Sequence, residues 1–148
     1  MKADLATDIQ AASAAGFDCL EIWAAKLRDF LNSHTTVELR RLFDEAGVEP
    51  YSINSIERIT FRDSNGRAAP LDECDELCRI ASEIECPYVV VVPGPMPEGA
   101  GRDDVIRESV NVLSELGRVA EAHNVGLAFE FLGQTDCSVR GSSRPPVR

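Results

Sequence analysis

Positive charge is scarce in this sequence. Its 148 residues carry 15 Lys and Arg against 25 Asp and Glu, a formal net charge of −10, with an isoelectric point near 4.6. A surface of that sign repels the phosphates of DNA and RNA, and anionic lipid headgroups equally, so no nucleic acid and no membrane is expected as a partner. A small anionic substrate stays open, because one local cation or metal outweighs the global field. Long apolar runs are also missing. The longest, Tyr88 to Pro93, falls far short of the roughly 18 residues that span a bilayer. Met1-Lys2-Ala3-Asp4 lacks the basic-then-apolar pattern of a secretory signal. Cysteine is too sparse and odd in number for a disulfide scaffold: Cys19, Cys74, Cys78, Cys86 and Cys137 read as reduced thiols of a cytoplasmic protein. Cys74 and Cys78 stand one helical turn apart, but no second ligand pair follows, so they read as buried packing rather than zinc ligands.

Several catalytic signatures are absent as well. There is no Gly-x4-Gly-Lys-Ser/Thr phosphate loop, no Gly-x-Gly-x-x-Gly dinucleotide fingerprint and no nucleophile elbow around a Ser or Cys. The two histidines have bland positions. His34 precedes a helix as a solvated loop residue, and His123 ends one, where a cation suits the dipole.

What is present is enough apolar character, 44% of residues beside 27% charged, to bury a core in one domain or in a piece of a larger one. Leu5, Ile9 and Ala12 recur at helical spacing over Ala3 to Ala15, and Gly16 supplies a stop. Cys19 to Trp23 reads as a strand, and Leu27, Phe30 and Leu31 as a helical turn or two. Thr35 and Glu38 form a capping box that opens a helix closed by Gly47. Val48 to Asn54 reads as a strand weakened by Pro50, and Ser55 to Ala69 as a long loop. Pro70 fits the first turn of a helix bearing Leu71, Cys74, Leu77, Cys78, Ala81 and Ile84 on one face. Tyr88 to Val92 is a β-branched run expected to be covered on both faces, as in a parallel sheet. A helix over Asp103 to His123, with Asn124 after it, and a strand over Val125 to Phe131 follow. Strands separated by helices imply right-handed βαβ crossovers, an α/β class with about four parallel strands.

Side chains alternate between the faces of a strand. In the first strand Leu20 and Ile22 oppose Cys19, Glu21 and Trp23; in the second Tyr51 and Ile53 oppose Ser52 and Asn54; in the last Leu127, Phe129 and Phe131 oppose Gly126, Ala128 and Glu130. The bulky faces suit packing against helices. The other faces carry Glu21, Asn54 and Glu130 near the strand ends, where parallel α/β proteins gather functional groups. A carboxylate facing a barrel interior needs a partner, a proton or a metal; one on an open, wet sheet face needs none. Trp23 reads as core or as a ring-stacking platform. Glu57 and Arg58 follow Asn54 and read as ligand contacts or as a surface ion pair.

The segment Phe17-Asp18-Cys19-Leu20-Glu21-Ile22-Trp23 resembles the Gly-(Phe/Tyr)-Asp-x-(Ile/Leu)-Glu-(Ile/Leu) stretch of the sugar phosphate isomerase/epimerase family, the xylose isomerase-like TIM barrels. Tyr88 to Gly94 resembles its fourth strand and Val125 to Phe131 its fifth. Ser52 to Asp63 and Phe129 to Val139 are similar to the inosose (2-keto-myo-inositol) isomerase branch. The resemblance implies a partial TIM barrel over residues 1–139, followed by a disordered or aberrant tail, 140–148. It implies isomerisation or epimerisation of sugars, sugar phosphates or inositol ketones by proton transfer between adjacent carbons. The family uses a divalent metal (Mn, Mg, Co or Zn) held by Glu, Asp, His and Glu from four strands. Only the first maps here, onto Glu130, as metal ligand and catalytic residue; Glu21, Trp23 and Asn54, from their places on the strand face, are the substrate-binding candidates. A family barrel needs eight strands and roughly 250 residues. The resemblance therefore implies an N-terminal fragment, holding metal weakly and inactive alone, whose open sheet edges favour a homo-oligomer. Two other readings stand beside it: a non-catalytic binding or interaction module, and an endonuclease IV-like hydrolase, which the two histidines and the charge of −10 disfavour.

Overall fold

A computed structural model describes residues 3–63 and 66–130. Helix α1 (Leu5–Ala14) is capped by Asp4, whose carboxylate accepts the Thr7 N–H at 2.8 Å, and it buries Leu5, Ile9 and Ala12. Strand β1 (Cys19–Trp23) follows, then the short helix α2 (Ala24–Leu31) and helix α3 (Thr36–Ala46). The expected capping box is formed. The Glu38 N–H donates to Thr35 Oγ1 at 3.2 Å, and the Thr35 N–H donates to Glu38 Oε2 at 2.7 Å. Gly47 ends α3 at φ +66°, a left-handed conformation that glycine adopts without a Cβ penalty.

Strand β2 (Glu49–Ile56), helix α4 (Ala68–Glu83), strand β3 (Tyr88–Val91), helix α5 (Arg102–Ala122) and strand β4 (Gly126–Phe129) complete the described chain. All strand pairs are parallel, in the order β1-β2-β3-β4. Helices α1, α3, α4 and α5 pack successively on the outer side, each on the next. This is the arrangement of four consecutive αβ units of a barrel, with β1 and β4 as the outer strands among the described residues.

The register separates the two faces. Ile22 pairs with Ile53 and Ile53 with Val89, and all three are fully buried toward the helices. Burying side chains of this size stabilises by about 1.5–3 kcal/mol each. Leu27, Leu39, Phe43, Leu77 and Leu116 close the core from the helix side. Cys74 and Cys78 lie in that layer with no exposed surface, their sulfurs 3.8 Å apart and Cys74 Sγ 3.7 Å from the Leu116 carbonyl, so they pack α4 against α5. Val89 to Val92 are all buried, as the β-branched run implies.

Three expectations are corrected. First, β2 reaches Ile56, and Ser55 to Ala69 is not simply a solvated loop. Ile59 and Thr60 are buried, the Ile59 N–H donates to the Val92 carbonyl at 3.0 Å, and the Gly94 N–H donates to Thr60 Oγ1 at 2.9 Å. Second, Tyr51 does not share a face with Ile53. The pairing skips it, since Leu20 faces Pro50 and Glu21 faces Ser52. This bulge beside a proline that has no N–H turns the Tyr51 ring to the open face, where it meets Tyr88 at 5.6 Å. Third, β4 ends at Phe129 instead of Phe131. Phe131, Cys137 and the tail 140–148 lie outside the described residues.

Candidate functional site

The open face of the sheet carries the polar groups. Glu21 is register-paired with Ser52, and Trp23 with Asn54. Ser52 Oγ donates to Glu21 Oε2 at 2.7 Å, and Asn54 Nδ2 donates to Glu21 Oε1 at 2.9 Å. Both oxygens of one carboxylate are thus held by neutral donors from the neighbouring strand. Such a carboxylate is oriented by hydrogen bonds from neutral groups. At the start of β3, Tyr88 lies across Gly126 of β4, where an added Cβ would come within 2.8 Å of the ring. Gly126 and Ala128 continue this face on β4, and alternation places Glu130 next, at the strand's end. The Glu130 N–H donates to the Val91 carbonyl at 3.0 Å, which fixes its backbone at the end of β3.

The hydrogen bond between them puts Glu21 and Asn54 on one face, as strand alternation implies; for Glu130 the structure gives the backbone position at the end of β4. The structure joins Glu21 to Asn54 by a hydrogen bond and puts Trp23 beside Asn54; Glu130 stands two strands away from Asn54, across β3. Ser52 was not singled out. Its signal was the same alternation, since it shares a face with Asn54 and is buried yet polar. Glu57 and Arg58 form no ion pair with each other; instead their carbonyls accept bonds from Arg62, at 2.8 and 2.7 Å. Arg58 takes a left-handed φ of 57°. Trp23, Ser55, Glu57 and Arg58 line a cleft of about 280 Å³ at the end of β1 and β2. A larger cleft, about 780 Å³, lies on the other side of Trp23, against Phe30, His34 and Leu42. Its histidine stacks on Phe30 at 4.4 Å, while His123 Nε2 lies 2.8 Å from Asp75 Oδ1, so both histidines have structural partners.

Among the described residues no three of His, Cys, Asp and Glu gather closely enough to hold a metal ion. Nor is any described helix long and apolar enough to cross a membrane.

The family model described as a xylose isomerase-like TIM barrel matches residues 9–144. The chain belongs to that family. Within the xylose isomerase-like barrels, an inosose isomerase of Halalkalibacterium halodurans is 31% identical over 137 residues, covering 92% of this chain and 49% of the relative. An inosose isomerase of Bacillus subtilis is 28% identical over the same share of each. Among solved structures, the IOLI protein with a zinc atom matches at a TM-score of 0.86 and 28% identity, over 93% of this chain and 50% of that one. A D-psicose 3-epimerase from Clostridium cellulolyticum matches at a TM-score of 0.73 and 19% identity, which shows the fold alone. The chain spans about half the length of the curated relatives it matches.

Proposed function

We propose that this chain belongs to an isomerase or epimerase of cyclic polyol ketones and related sugars, and that its open face binds the substrate. The observation that carries the reading is the hydrogen-bonded set Glu21, Ser52 and Asn54 beside Trp23, at the strand end where the family's barrels do their chemistry. The named relatives supply the substrate class: they are inosose isomerases at 31 and 28% identity.

The chemistry follows from the groups present. Isomerising a hydroxy ketone moves a proton between adjacent carbons through an enediolate. A carboxylate at the strand end is a suitable proton carrier, and we assign that role to Glu130. Glu21, its two oxygens held by Ser52 and Asn54, fixes the polar side of the face that receives substrate hydroxyls, and Asn54 is held in place by the same bond. Trp23 offers an apolar ring face to the C–H side of a ring substrate. The family's divalent metal does not fit the described residues alone: Glu130 is one ligand, and the oxygens of Glu21 are already engaged. We therefore assign no step to a metal and expect no tight metal site in this chain.

Trp23 is the only tryptophan, so its fluorescence reports on this face. Titration with 2-keto-myo-inositol is expected to give a saturable emission change that weakens in Glu21→Ala and Asn54→Ala. The absence of saturation, or a response in both variants equal to that of the parent, refutes the site. The lack of a three-ligand cluster among the described residues favours one other reading, a polyol-binding module without turnover. Deuterium incorporation next to the substrate carbonyl in D₂O with Mn²⁺ separates the two: exchange lost in Glu130→Gln supports the isomerase, and binding without exchange supports the module.

A further inference from the structure

Most of the scarce positive charge in this chain is neutralised where it stands. Of the eleven described Lys and Arg side chains, seven form ion pairs with a described carboxylate. Among the described residues Arg58, Arg62, Arg102 and Arg118 form none. Two of these four, Arg58 and Arg62, line one cleft, the space of about 280 Å³ at the ends of β1 and β2 that also holds Trp23 and Ser55. The cleft has two carboxylates. Glu73 already accepts from Arg28 Nη2 at 2.9 Å, and Glu57 pairs with neither free arginine. The loop holds this charge in place. Arg62 donates through Nε to the Arg58 carbonyl at 2.7 Å and through Nη2 to the Glu57 carbonyl at 2.8 Å, so its guanidinium lies fixed against the backbone. Just beyond, the Ile59 N–H donates to the Val92 carbonyl at 3.0 Å and the Phe61 N–H to Glu108 Oε1 at 3.1 Å. Between these anchors Arg58 takes its φ of 57°, a conformation that disfavours any residue with a Cβ, and its side chain stays exposed with no polar partner among the described residues.

We infer that this cleft is an oxyanion subsite beside the polyol face, in which Arg58, with the fixed charge of Arg62 next to it, binds a phosphate or carboxylate group carried by the substrate. The inference rests on the substrate face proposed for Glu21, Asn54 and Trp23. A guanidinium offers parallel N–H donors that match two oxygens of a phosphate or carboxylate, and a neutral polyol gives it no charge to meet. The net charge of −10 repels an anion at a distance, but two uncompensated cations set the local field. Size decides how much of the ligand enters. About 280 Å³ lies below the roughly 300–1,000 Å³ of pockets that enclose a whole small molecule, so the cleft takes one substituent while the ring stays over Trp23. Arg58 is then a specificity-determining residue: it selects a polyol ketone bearing an oxyanion over its neutral counterpart.

Trp23 lines the cleft, so its emission reads the subsite directly. Inorganic phosphate, added to the 148-residue chain at constant ionic strength, is expected to give a saturable change. Arg58→Asn keeps the left-handed backbone, which asparagine tolerates, and should weaken phosphate binding at least about tenfold with the circular dichroism spectrum unchanged. Arg118→Gln removes an unpaired arginine from α5 and should bind phosphate as the parent does. D-glucose 6-phosphate and D-glucuronate, each titrated against D-glucose, then tell which oxyanion the subsite takes. Either one binding at least about tenfold tighter than glucose, with the advantage lost in Arg58→Asn, supports the inference. No saturation by phosphate overturns it. So does a response in Arg58→Asn equal to the parent's, an equal loss in Arg118→Gln, or three sugars that bind alike. Glu21→Ala should leave phosphate binding unchanged while it weakens 2-keto-myo-inositol, so failure of the polyol face and failure of this subsite are read separately.

Discussion

Gly94 joins the end of β3 to the loop after β2, and its replacement by alanine gives a sharp test of that junction. An added Cβ would stand 2.5 Å from the Thr60 carbonyl oxygen, whereas real Cβ atoms essentially never come within 3.0 Å. Something must therefore move by at least 3.0 − 2.5 = 0.5 Å. The obstacle is backbone, itself held by the Ile59 N–H to Val92 bond and the Gly94 N–H to Thr60 bond, so no flexible side chain can swing aside. Overpacking of this kind costs about 1–3 kcal/mol. Reduced entropy of the unfolded chain returns about 0.4–1 kcal/mol for Gly→Ala. The clash wins, with a net loss of about 1–2 kcal/mol. For a chain of this size that lowers the midpoint of thermal unfolding by roughly 2–8 °C. Gly117→Ala is the matched control: no atom opposes its Cβ, it lies within α5, and it should stabilise by about 0.5–1 kcal/mol. Thermal melts followed by circular dichroism compare the two. A Gly94→Ala melt at or above the parent midpoint refutes the close approach of β3's end to the Thr60 loop.

Other perturbations have definite expected outcomes. Thr35→Ala removes the side-chain half of the capping box of α3 and should cost about 1 kcal/mol in a urea titration. Hydrogen bonds from the Thr35 backbone, and then its hydroxyl, hold the Glu38 carboxyl below its ordinary range, and the Thr7 backbone bond does the same for Asp4. The stabilisation these groups give is present above the ordinary carboxylate pKa and is lost as pH falls through their lowered values, so the acid limb of a stability-against-pH curve should flatten in Thr35→Ala. Burial pushes the Cys86 thiol up to about 11. Its folded form keeps the proton longer than the unfolded chain does, so stability should fall as pH rises from about 9 to about 11, by roughly 2–3 kcal/mol, and Cys86→Ala should remove that slope. Phe43 is fully buried at the centre of the helix layer, and Phe43→Ala should cost about 3–5 kcal/mol by the same titration. Calorimetric titration with Mn²⁺ should show no tight stoichiometric site; tight binding would mean that ligands beyond Glu130 converge on it.

The parts of this fold that can be read in the sequence are those set by local chemistry. Thr35 and Glu38 three residues apart, Gly47 after an amphipathic run, and the β-branched stretch from Tyr88 specify their elements with little help from the rest of the chain. Strand alternation likewise assigns Glu21, Asn54 and Glu130 to one face. The missed features are non-local. Nothing near Tyr51 announces that Pro50 shifts the pairing with Leu20 and Glu21, because a bulge is a property of two strands. The polar stretch after Ser55 looks solvated in isolation, and only the approach of Val92 and Gly94 shows that Ile59 and Thr60 are inside. Ser52 gains its role from Glu21, a residue 31 positions earlier.

The bonds from Ser52 and Asn54 to Glu21 have an evolutionary consequence. Ser52 is buried, so replacing Glu21 by an apolar residue takes away the acceptor of a hydroxyl that lies out of solvent. A change at either position is therefore costlier alone than together with a change at the other, and the two positions are expected to vary as a pair among related sequences.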